Sequence, residues 1–505
     1  MSRVKNSVKN IKYGVVGQIL SLVVSFVARM VFVSTLGSEY LGLHGLFTNV
    51  LSILLFAELG IGAAIAFSLY KPLSEQNIPK IKVLMRLFKR AYITIGIIIA
   101  TLGLSIAPFL SFLVKDMPNI PHIHLIYLMF VTNSAISYFF SYKRSLIIAD
   151  QKRYIATYYR YGFFIILNIL QSIFLITTKN YLLFLVLQIL FTFIENLIVS
   201  RKADKLYPYL KEKTSENLDG DTKKTIVRNV KAMMIHKIGG IVVNGTDNLL
   251  ISKFVGLISV GIYSNYLLVI TALNSIFGMI FQGVTASIGN LGATQSEEKS
   301  LFIFKCLNFI GFWIYGFATI CLINLINPLI SIWLGEEYLF SVSLVMVITV
   351  NFYLTGMRLS VLTFRDALGL YWNDRYKPLF ESSINLVASI ILVKKFGIVG
   401  VFIGTTISTL STCFWVEPYV LFKYGLKSST VSYFIRYIIN TLILLLGASL
   451  TWLICSFIDG FTILSFSLKL LVCIVVPNVI FTLVFRRTEE FNYLISVLKS
   501  TLKRN

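Results

Sequence analysis

The sequence has few charged residues and no polar stretch long enough to form a soluble domain. Charged side chains make up 14% of its 505 residues, whereas 56% of the residues are hydrophobic and the mean hydropathy is +0.79. A soluble protein could not bury so much apolar surface. The sequence also has no GxxxxGK(S/T) phosphate-binding loop, which an ATP-driven pump would need. The composition therefore predicts an all-α polytopic membrane protein, without ATP as its energy source.

Cysteine and histidine are too scarce and too scattered to predict a metal site. The five cysteines lie in apolar segments without CxxC spacing and are interpreted as small core residues: Cys306, Cys321, Cys413, Cys455 and Cys473. His122 and His124 share a turn but have no third ligand. No metal and no cofactor are expected. No cleavable signal peptide is evident after the basic stretch MSRVKNSVKNIK.

Apolar runs long enough to cross a membrane are abundant. A helix needs roughly 20 such residues to span ~30 Å of hydrocarbon. Fourteen spans are predicted: 13–36, 42–68, 91–114, 123–141, 161–177, 181–200, 234–255, 261–289, 306–327, 341–357, 379–393, 398–416, 431–457 and 465–485.

Lysine and arginine are distributed very unevenly between the two ends of these spans. The side that carries the N-terminus, called the basic side below, has 38 of them, and the opposite turns have 4. This bias predicts that both termini are cytoplasmic. It also explains the net charge of +23, because basic segments face an anionic lipid leaflet. Nucleic acid is therefore not expected as a partner.

The chain can be laid over itself at an offset of 219, so that Gly37 and Gly42 fall on Gly256 and Gly261. Spans 1–6 and 7–12 both begin on the basic side, which is typical of parallel repeats. The predicted organisation comprises an N-lobe at 1–200, a cytoplasmic linker at 201–233, a C-lobe at 234–416, and two extra spans with a cytoplasmic tail at 417–505.

Arg29 and Asp247 are charges inside apolar spans of the two predicted halves, where a charge is costly and usually functional. Each lies on a polar helical stripe, and the stripes predict a central substrate-binding cavity. Its other candidate residues are Gln18 and Ser25 in span 1 and Lys237, Asn244 and Asn248 in span 7. Two alternatives are a structural ion pair between Arg29 and Asp247, and helix packing for the uncharged members.

Two further intramembrane charges allow different interpretations. Lys253 lies near the outer end of span 7 and is either a cavity residue or a side chain that snorkels to the interface. Glu58 lies in span 2, on a stripe that is not polar. Asp247 and Glu58 are the carboxylates that could exchange H⁺ or Na⁺, and coupling to the membrane potential is another candidate energy source.

The loop after the fourth span of each half is basic and aromatic. Arg144, Arg153 and Arg160 in the first loop and Arg375 in the second are predicted to form a cytoplasmic vestibule for an anionic head group. The alternative is an interfacial belt that anchors the helices. Three charges near the basic-side boundaries are expected to be interfacial: Glu195, Glu417 and Arg436.

The segments FAELGIGAAI and NGTDNLLISKFVGLISVGIYSNY, together with the LGSEYLG turn and the polar first span with its arginine, resemble one transporter family. They are similar to the polysaccharide and O-antigen repeat-unit (Wzx-type) flippases of the multidrug/oligosaccharidyl-lipid/polysaccharide exporter superfamily. The resemblance implies two six-helix lobes in a V shape, with helices 13 and 14 offering a groove for a lipid tail. It also implies that Arg29, Asp247 and Lys253 contact a pyrophosphate–sugar head.

The function implied by the resemblance is translocation of undecaprenyl-pyrophosphate-linked oligosaccharides across a bacterial cytoplasmic membrane. A polysaccharide polymerase and other assembly proteins are the implied partners, besides the bilayer. Only Arg29 provides a first-half intramembrane arginine, which favours an oligosaccharide repeat unit over lipid II. The main alternative is a multidrug or organic-cation antiporter of the same superfamily. A membrane-embedded enzyme is disfavoured by the short outside turns.

Overall fold

The structure is a computed structural model that describes residues 2–54, 58, 68–69, 72–73, 75–113, 120–150, 152–212, 220, 224, 245–294, 296–370 and 373–502. Within these residues the chain is helical and contains no β-strand. Ten helices of the described segments are long and apolar enough to cross a membrane. The protein is therefore an all-α, multi-pass membrane protein, as the composition predicts.

The chain divides into two compact units, Met1–Gly261 and Ile262–Asn505. The helices of the first unit are α1 (Ser2–Leu54), α2 (Ile78–Ile106), α3 (Ile123–Phe139), α4 (Ser141–Ala149), α5 (Arg153–Thr178), α6 (Tyr181–Leu206) and α7 (245–254). Asparagines begin two of them: the side chain of Asn77 accepts a hydrogen bond from Lys80 N, and that of Asn180 from Leu183 N. Each cap satisfies a backbone donor that the first turn leaves without a partner.

The second unit begins within α8 (Leu257–Thr294). Its other helices are α9 (Glu297–Leu334), α10 (Val342–Ala367), α11 (Lys377–Phe396), α12 (Ile398–Leu426), α13 (Val431–Cys455), α14 (Ile463–Phe485) and α15 (Glu489–Leu502). α9 is the most buried of the membrane helices, with 67% of its apolar window inside the protein. It packs against α10, α13, α14 and α15 and forms the centre of this unit.

The observed helices follow the predicted spans closely. An eleventh span is obtained if α3 and α4, which meet at 46°, are counted as one bent span. Predicted spans 42–68 and 234–255 lie partly outside the described residues. The short predicted span 379–393 is helical as α11. It is not among the ten candidate membrane helices, because charged residues lie at both of its ends.

Glycines break the chain at equivalent places in the two repeats. Gly37, within α1, has φ 81°, and Gly256, between α7 and α8, has φ 132°. Side chains rarely adopt such angles, so glycine is favoured at both breaks. The two positions are the pair that the 219-residue offset equates, which agrees with the predicted repeat.

The next glycine pair makes a reciprocal close contact. A Cβ on Gly42 would lie 2.1 Å from the carbonyl oxygen of Leu257, and a Cβ on Gly261 would lie 2.3 Å from that of Ser38. The offset of 219 converts one contact into the other, since it carries residue 42 to 261 and residue 38 to 257. The backbone at the start of α8 therefore lies directly against the backbone of α1. The contact is reciprocal, as in a local twofold arrangement.

Candidate functional site

The polar stripe of the first span is satisfied largely by its own surroundings. The Tyr161 hydroxyl of α5 donates to Gln18 Oε1 at 2.9 Å. Gly17 allows this approach, because a Cβ there would lie 2.0 Å from the Tyr161 ring. The Ser25 hydroxyl donates to the Ser21 carbonyl of the same helix at 2.7 Å. Gln18 thus joins α1 to α5, and Ser25 bonds to its own helix.

Arg29 is half-buried beside an aromatic cluster of the first unit. It lies within electrostatic range of His44, whose Nδ1 lies 3.0 Å from the Tyr181 hydroxyl. Phe32, one turn further along α1, contacts the rings of both Tyr181 and Phe184, with centroids 5.7 Å and 5.4 Å away. The guanidinium group therefore belongs to a partly polar interior region rather than to a purely apolar face.

Asp247 carries a buried carboxylate oxygen that lacks a hydrogen-bond partner. Within the described part of the chain, Oδ1 of Asp247 and Oδ1 of the adjacent Asn248 are both buried without a donor. Native proteins leave few such atoms unsatisfied, so each is a candidate contact for a ligand or an ion. The alternative of a structural ion pair between Arg29 and Asp247 stays a prediction. The candidates Lys237 and Asn244 lie outside the described residues.

Lys253 contacts an aromatic ring near the end of its helix. Its Nζ lies 4.4 Å from the ring centroid of Phe112, and the residue is half-buried. This cation–π contact holds the charge three residues before the break at Gly256. The position fits the snorkelling alternative, and a role of Lys253 in binding substrate stays a prediction.

Glu58 is held inside the first unit by two phenol groups. Tyr138 of α3 donates to Oε2 at 3.2 Å, and Tyr92 of α2 donates to Oε1 at 3.5 Å. Donors of this kind stabilise a carboxylate away from water. Glu58 is thus an intramembrane acid with hydrogen-bond partners, in contrast to Oδ1 of Asp247.

The predicted vestibule arginines differ in their surroundings. Arg144 forms an ion pair with Glu195 and donates to Asn196 Oδ1 at 3.2 Å. Arg153 and Arg160 are exposed on one face of α5, two turns apart. Arg375, in the second unit, is half-buried with its guanidinium carbon 4.6 Å from the ring centroid of Tyr376. Arg144 therefore holds helices together, whereas Arg153 and Arg160 are accessible.

A buried charge cluster in the second unit was not predicted. Glu417 of α12 is fully buried and accepts from Arg358 Nε at 3.0 Å, from Arg358 Nη2 at 2.8 Å and from Lys377 Nζ at 2.5 Å. Glu381 lies 3.5 Å from Arg358 and 3.4 Å from Lys377. Three hydrogen bonds from two cations compensate for the burial of Glu417, and its expected place near the membrane interface stays a prediction.

The only sequence signal for this cluster is Pro418, directly after Glu417. A proline within a helix removes one backbone hydrogen bond. α12 accommodates it between two π-helical turns, Thr409–Cys413 and Leu421–Leu426. Turns of this kind often occur at functional positions.

The two repeats use the same type of ion pair. In the first unit Arg144 of α4 pairs with Glu195 of α6, and in the second Arg358 of α10 pairs with Glu417 of α12. In each case an arginine shortly after the fourth predicted span of its half is joined to the last helix of that half. Glu195 is thus also engaged in an ion pair within the protein.

Comparison with known proteins finds solved structures with a similar fold. No protein-family model and no curated sequence matches the chain significantly. The lipid II flippase MurJ, in an inward closed conformation, aligns with a TM-score of 0.67 at 15% identity, over 94% of this chain and 99% of that chain.

Two MATE-family structures align over a smaller part of the chain. An inward-facing multidrug resistance MATE transporter has a TM-score of 0.60 at 16% identity and covers 81% of this chain and 95% of its own. The MATE transporter VcmN of Vibrio cholerae has a TM-score of 0.55 at 14% identity and covers 84% and 99%. The chain therefore has the fold that the MurJ flippase and the MATE transporters share.

Proposed function

We propose that this protein is a flippase that carries undecaprenyl-pyrophosphate-linked oligosaccharide repeat units from the cytoplasmic to the outer leaflet. It would serve capsule, exopolysaccharide or O-antigen synthesis in a bacterial cytoplasmic membrane, with both termini in the cytoplasm. Transport proceeds by alternating access without ATP. A proton, a sodium ion or the membrane potential supplies the driving force.

The extent of the structural likeness is the observation that carries this proposal. The MurJ flippase covers 94% of the chain, whereas the MATE transporters cover 81% and 84%. The sequence predicts a body of twelve spans with two extra C-terminal spans, now seen as α13 and α14. Two extra spans suit a lipid-linked substrate, because its hydrocarbon tail needs a path beside the polar cavity.

An apolar groove beside α13 supports this assignment. Its volume is about 890 Å³, near the upper end of common ligand pockets. The side chains that line it come from α9, α10, α12 and α13 and include Met346, Val350, Leu410, Phe414, Leu445 and Trp452. We name it the tail groove and assign it to part of the polyprenyl chain.

Arg29 and Asp247 supply the chemistry for the head group. An arginine binds pyrophosphate through two parallel hydrogen bonds, and such bonds are strong where water is scarce. The unsatisfied Oδ1 of Asp247 can accept from a sugar hydroxyl, or bind the coupling ion. Glu58 is a second candidate for proton or sodium exchange, and Arg153 and Arg160 offer the first contact at the cytoplasmic face.

A multidrug or organic-cation antiporter is the second candidate, supported by the likeness to MATE transporters. A cationic drug would favour a cavity that is acidic overall. The predicted cavity carries Arg29, Lys237 and Lys253 against Asp247 and Glu58, which favours an anionic head group.

Deletion of the gene tests the two candidates against each other. For the flippase we expect surface polymer to disappear and lipid-linked repeat units to accumulate, both measured by extraction and mass spectrometry. Unchanged polymer with increased sensitivity to cationic drugs would instead assign the protein to drug export. A lethal loss of peptidoglycan precursor transport would point to lipid II as the substrate.

A further inference from the structure

A second cavity of the second unit differs from the tail groove in chemistry and shares none of its lining residues. It lies where α9 and α13 begin and α14 ends, and its volume is about 470 Å³. Its apolar lining residues include Phe309, Ile439 and Ile443. Its polar lining residues include Lys305, Asn308, Ser432, Arg436, Asn440 and Thr488. We name it the basic-side pocket.

Lys305 gives this pocket a cation that no described residue neutralises. It is half-buried on α9 and makes no ion pair or hydrogen bond with another residue of the described segments. The second cation, Arg436, is paired with Glu490. These three groups leave one net positive charge in the pocket, which favours an anion.

Asn440 adds an unsatisfied amide to the same pocket. The residue is 2% exposed, and its Oδ1 is buried with no partner among the described residues. It lies one helical turn deeper in the membrane than Arg436, since four residues of α13 separate them. The two ends of a side-chain amide exchange places by a half-turn, so Asn440 can present either a donor or an acceptor.

α15 covers one side of the pocket and is fixed by aromatic contacts. Phe491 stacks on Trp313, with centroids 5.9 Å apart and planes inclined by 24°, and Tyr493 contacts Phe302 at 5.3 Å. Glu490, at the start of α15, completes the ion pair with Arg436. Ile435 and Ile439 are about half exposed on the lipid-facing side. The pocket is therefore open towards lipid and closed by protein beneath.

From this arrangement we propose that the basic-side pocket binds one anionic phospholipid of the surrounding leaflet. Lys305 and Arg436 bind the phosphate, Asn440 donates to an ester carbonyl one turn deeper, and an acyl chain lies along Ile439 and Ile443. The ligand is distinct from the transported lipid, which the tail groove takes. The bound lipid anchors α15 and α14 to α9 and α13.

Native mass spectrometry of the full-length protein tests this proposal. The protein is titrated in detergent with phosphatidylglycerol, with phosphatidylcholine, and with glycerol phosphate as a free head group. We expect one tightly bound phosphatidylglycerol per chain. Lys305→Met is expected to weaken it about tenfold, because one charge-assisted contact of roughly 1.4 kcal/mol is lost.

Arg487→Met is the matched control, since Arg487 is an exposed cation of the same side that does not line the pocket. It should leave the binding unchanged. Ile439→Trp fills the pocket without altering its charge, and it should also remove the bound lipid.

Three results would overturn the proposal. Equal losses in Lys305→Met and Arg487→Met would mean diffuse attraction to the basic surface. If phosphatidylcholine bound as tightly as phosphatidylglycerol, the negative charge of the lipid would not be what the pocket recognises. Displacement of the lipid by glycerol phosphate at similar concentration would mean a site for a free anion rather than for a lipid.

Discussion

Arg29 is the single side chain whose replacement tests the transport proposal most sharply. Arg29→Ala removes charge-assisted hydrogen bonds to a pyrophosphate, each worth roughly 1.5–3 kcal/mol. We expect polymer export to fall at least about tenfold. Arg29→Lys should retain part of the activity, because lysine keeps the charge but not the two parallel bonds.

Export is measured as surface polymer, with membrane-inserted protein quantified in parallel. Arg487→Ala serves as the control, because Arg487 is exposed at the end of α14. Full export by Arg29→Ala would remove Arg29 from the transport mechanism.

Glu417 is predicted to matter for stability. Among the described residues, Glu417→Gln leaves the Arg358 and Lys377 cations with only the more distant Glu381 as a carboxylate partner. Removing one partner of a buried ion pair typically costs about 3–5 kcal/mol. The melting temperature in detergent should therefore drop clearly, whereas Glu336→Gln, at an exposed turn, should leave it unchanged. An unaltered melting temperature for Glu417→Gln would mean that the cluster contributes little.

At the scale of helices, the crossing of α1 with the start of α8 depends on two glycines. Gly42→Ala places a methyl group 2.1 Å from a backbone carbonyl oxygen, and Gly261→Ala does the same at 2.3 Å. Overpacking of this kind costs about 1–3 kcal/mol or more. Both variants should lose thermal stability to a similar degree, because the contacts are equivalent.

Gly162→Ala provides the comparison, since no atom lies within 4 Å of its added methyl group. It should be neutral or slightly stabilising in the interior of α5. If all three variants melted alike, the crossing would not be a tight contact.

The tail groove offers a matched pair of substitutions on one helix. Leu445 lines the groove and Leu446 does not, yet both are leucines of α13 with exposures of 56% and 54%. Leu445→Trp should occupy the groove and reduce transport of the polyprenyl substrate, whereas Leu446→Trp should only face lipid. Transport is assayed as surface polymer. Equal transport by the two variants would mean that the tail groove has no role in it.

Helices were more predictable than the contacts between them. The spans follow from runs of about 20 apolar residues, and the glycine breaks follow from the repeat. Both features are patterns that the sequence itself contains. The ion pairs of Glu195 and Glu417 could not be, because their partners lie 51 and 59 residues away. Glu417 is near a span end in the sequence, yet the cations of α10 and α11 enclose it.

For the whole molecule, the sequence predicts transport without nucleotide, and the fold is that of known transporters. Which substrate moves depends on the cavity, where Lys237 and Asn244 lie outside the described residues. The two proposals for the second unit concern two different lipids. The tail groove concerns the transported lipid, and the basic-side pocket concerns a resident one.

Reconstitution tests the central claim most directly. The purified protein is placed in liposomes with a fluorescent undecaprenyl-pyrophosphate oligosaccharide, and the fraction reaching the opposite leaflet is measured by a membrane-impermeant quencher. We predict translocation without ATP that Arg29→Ala abolishes. The account would be contradicted if correctly folded protein translocated none of this lipid and instead exchanged an organic cation for H⁺ or Na⁺.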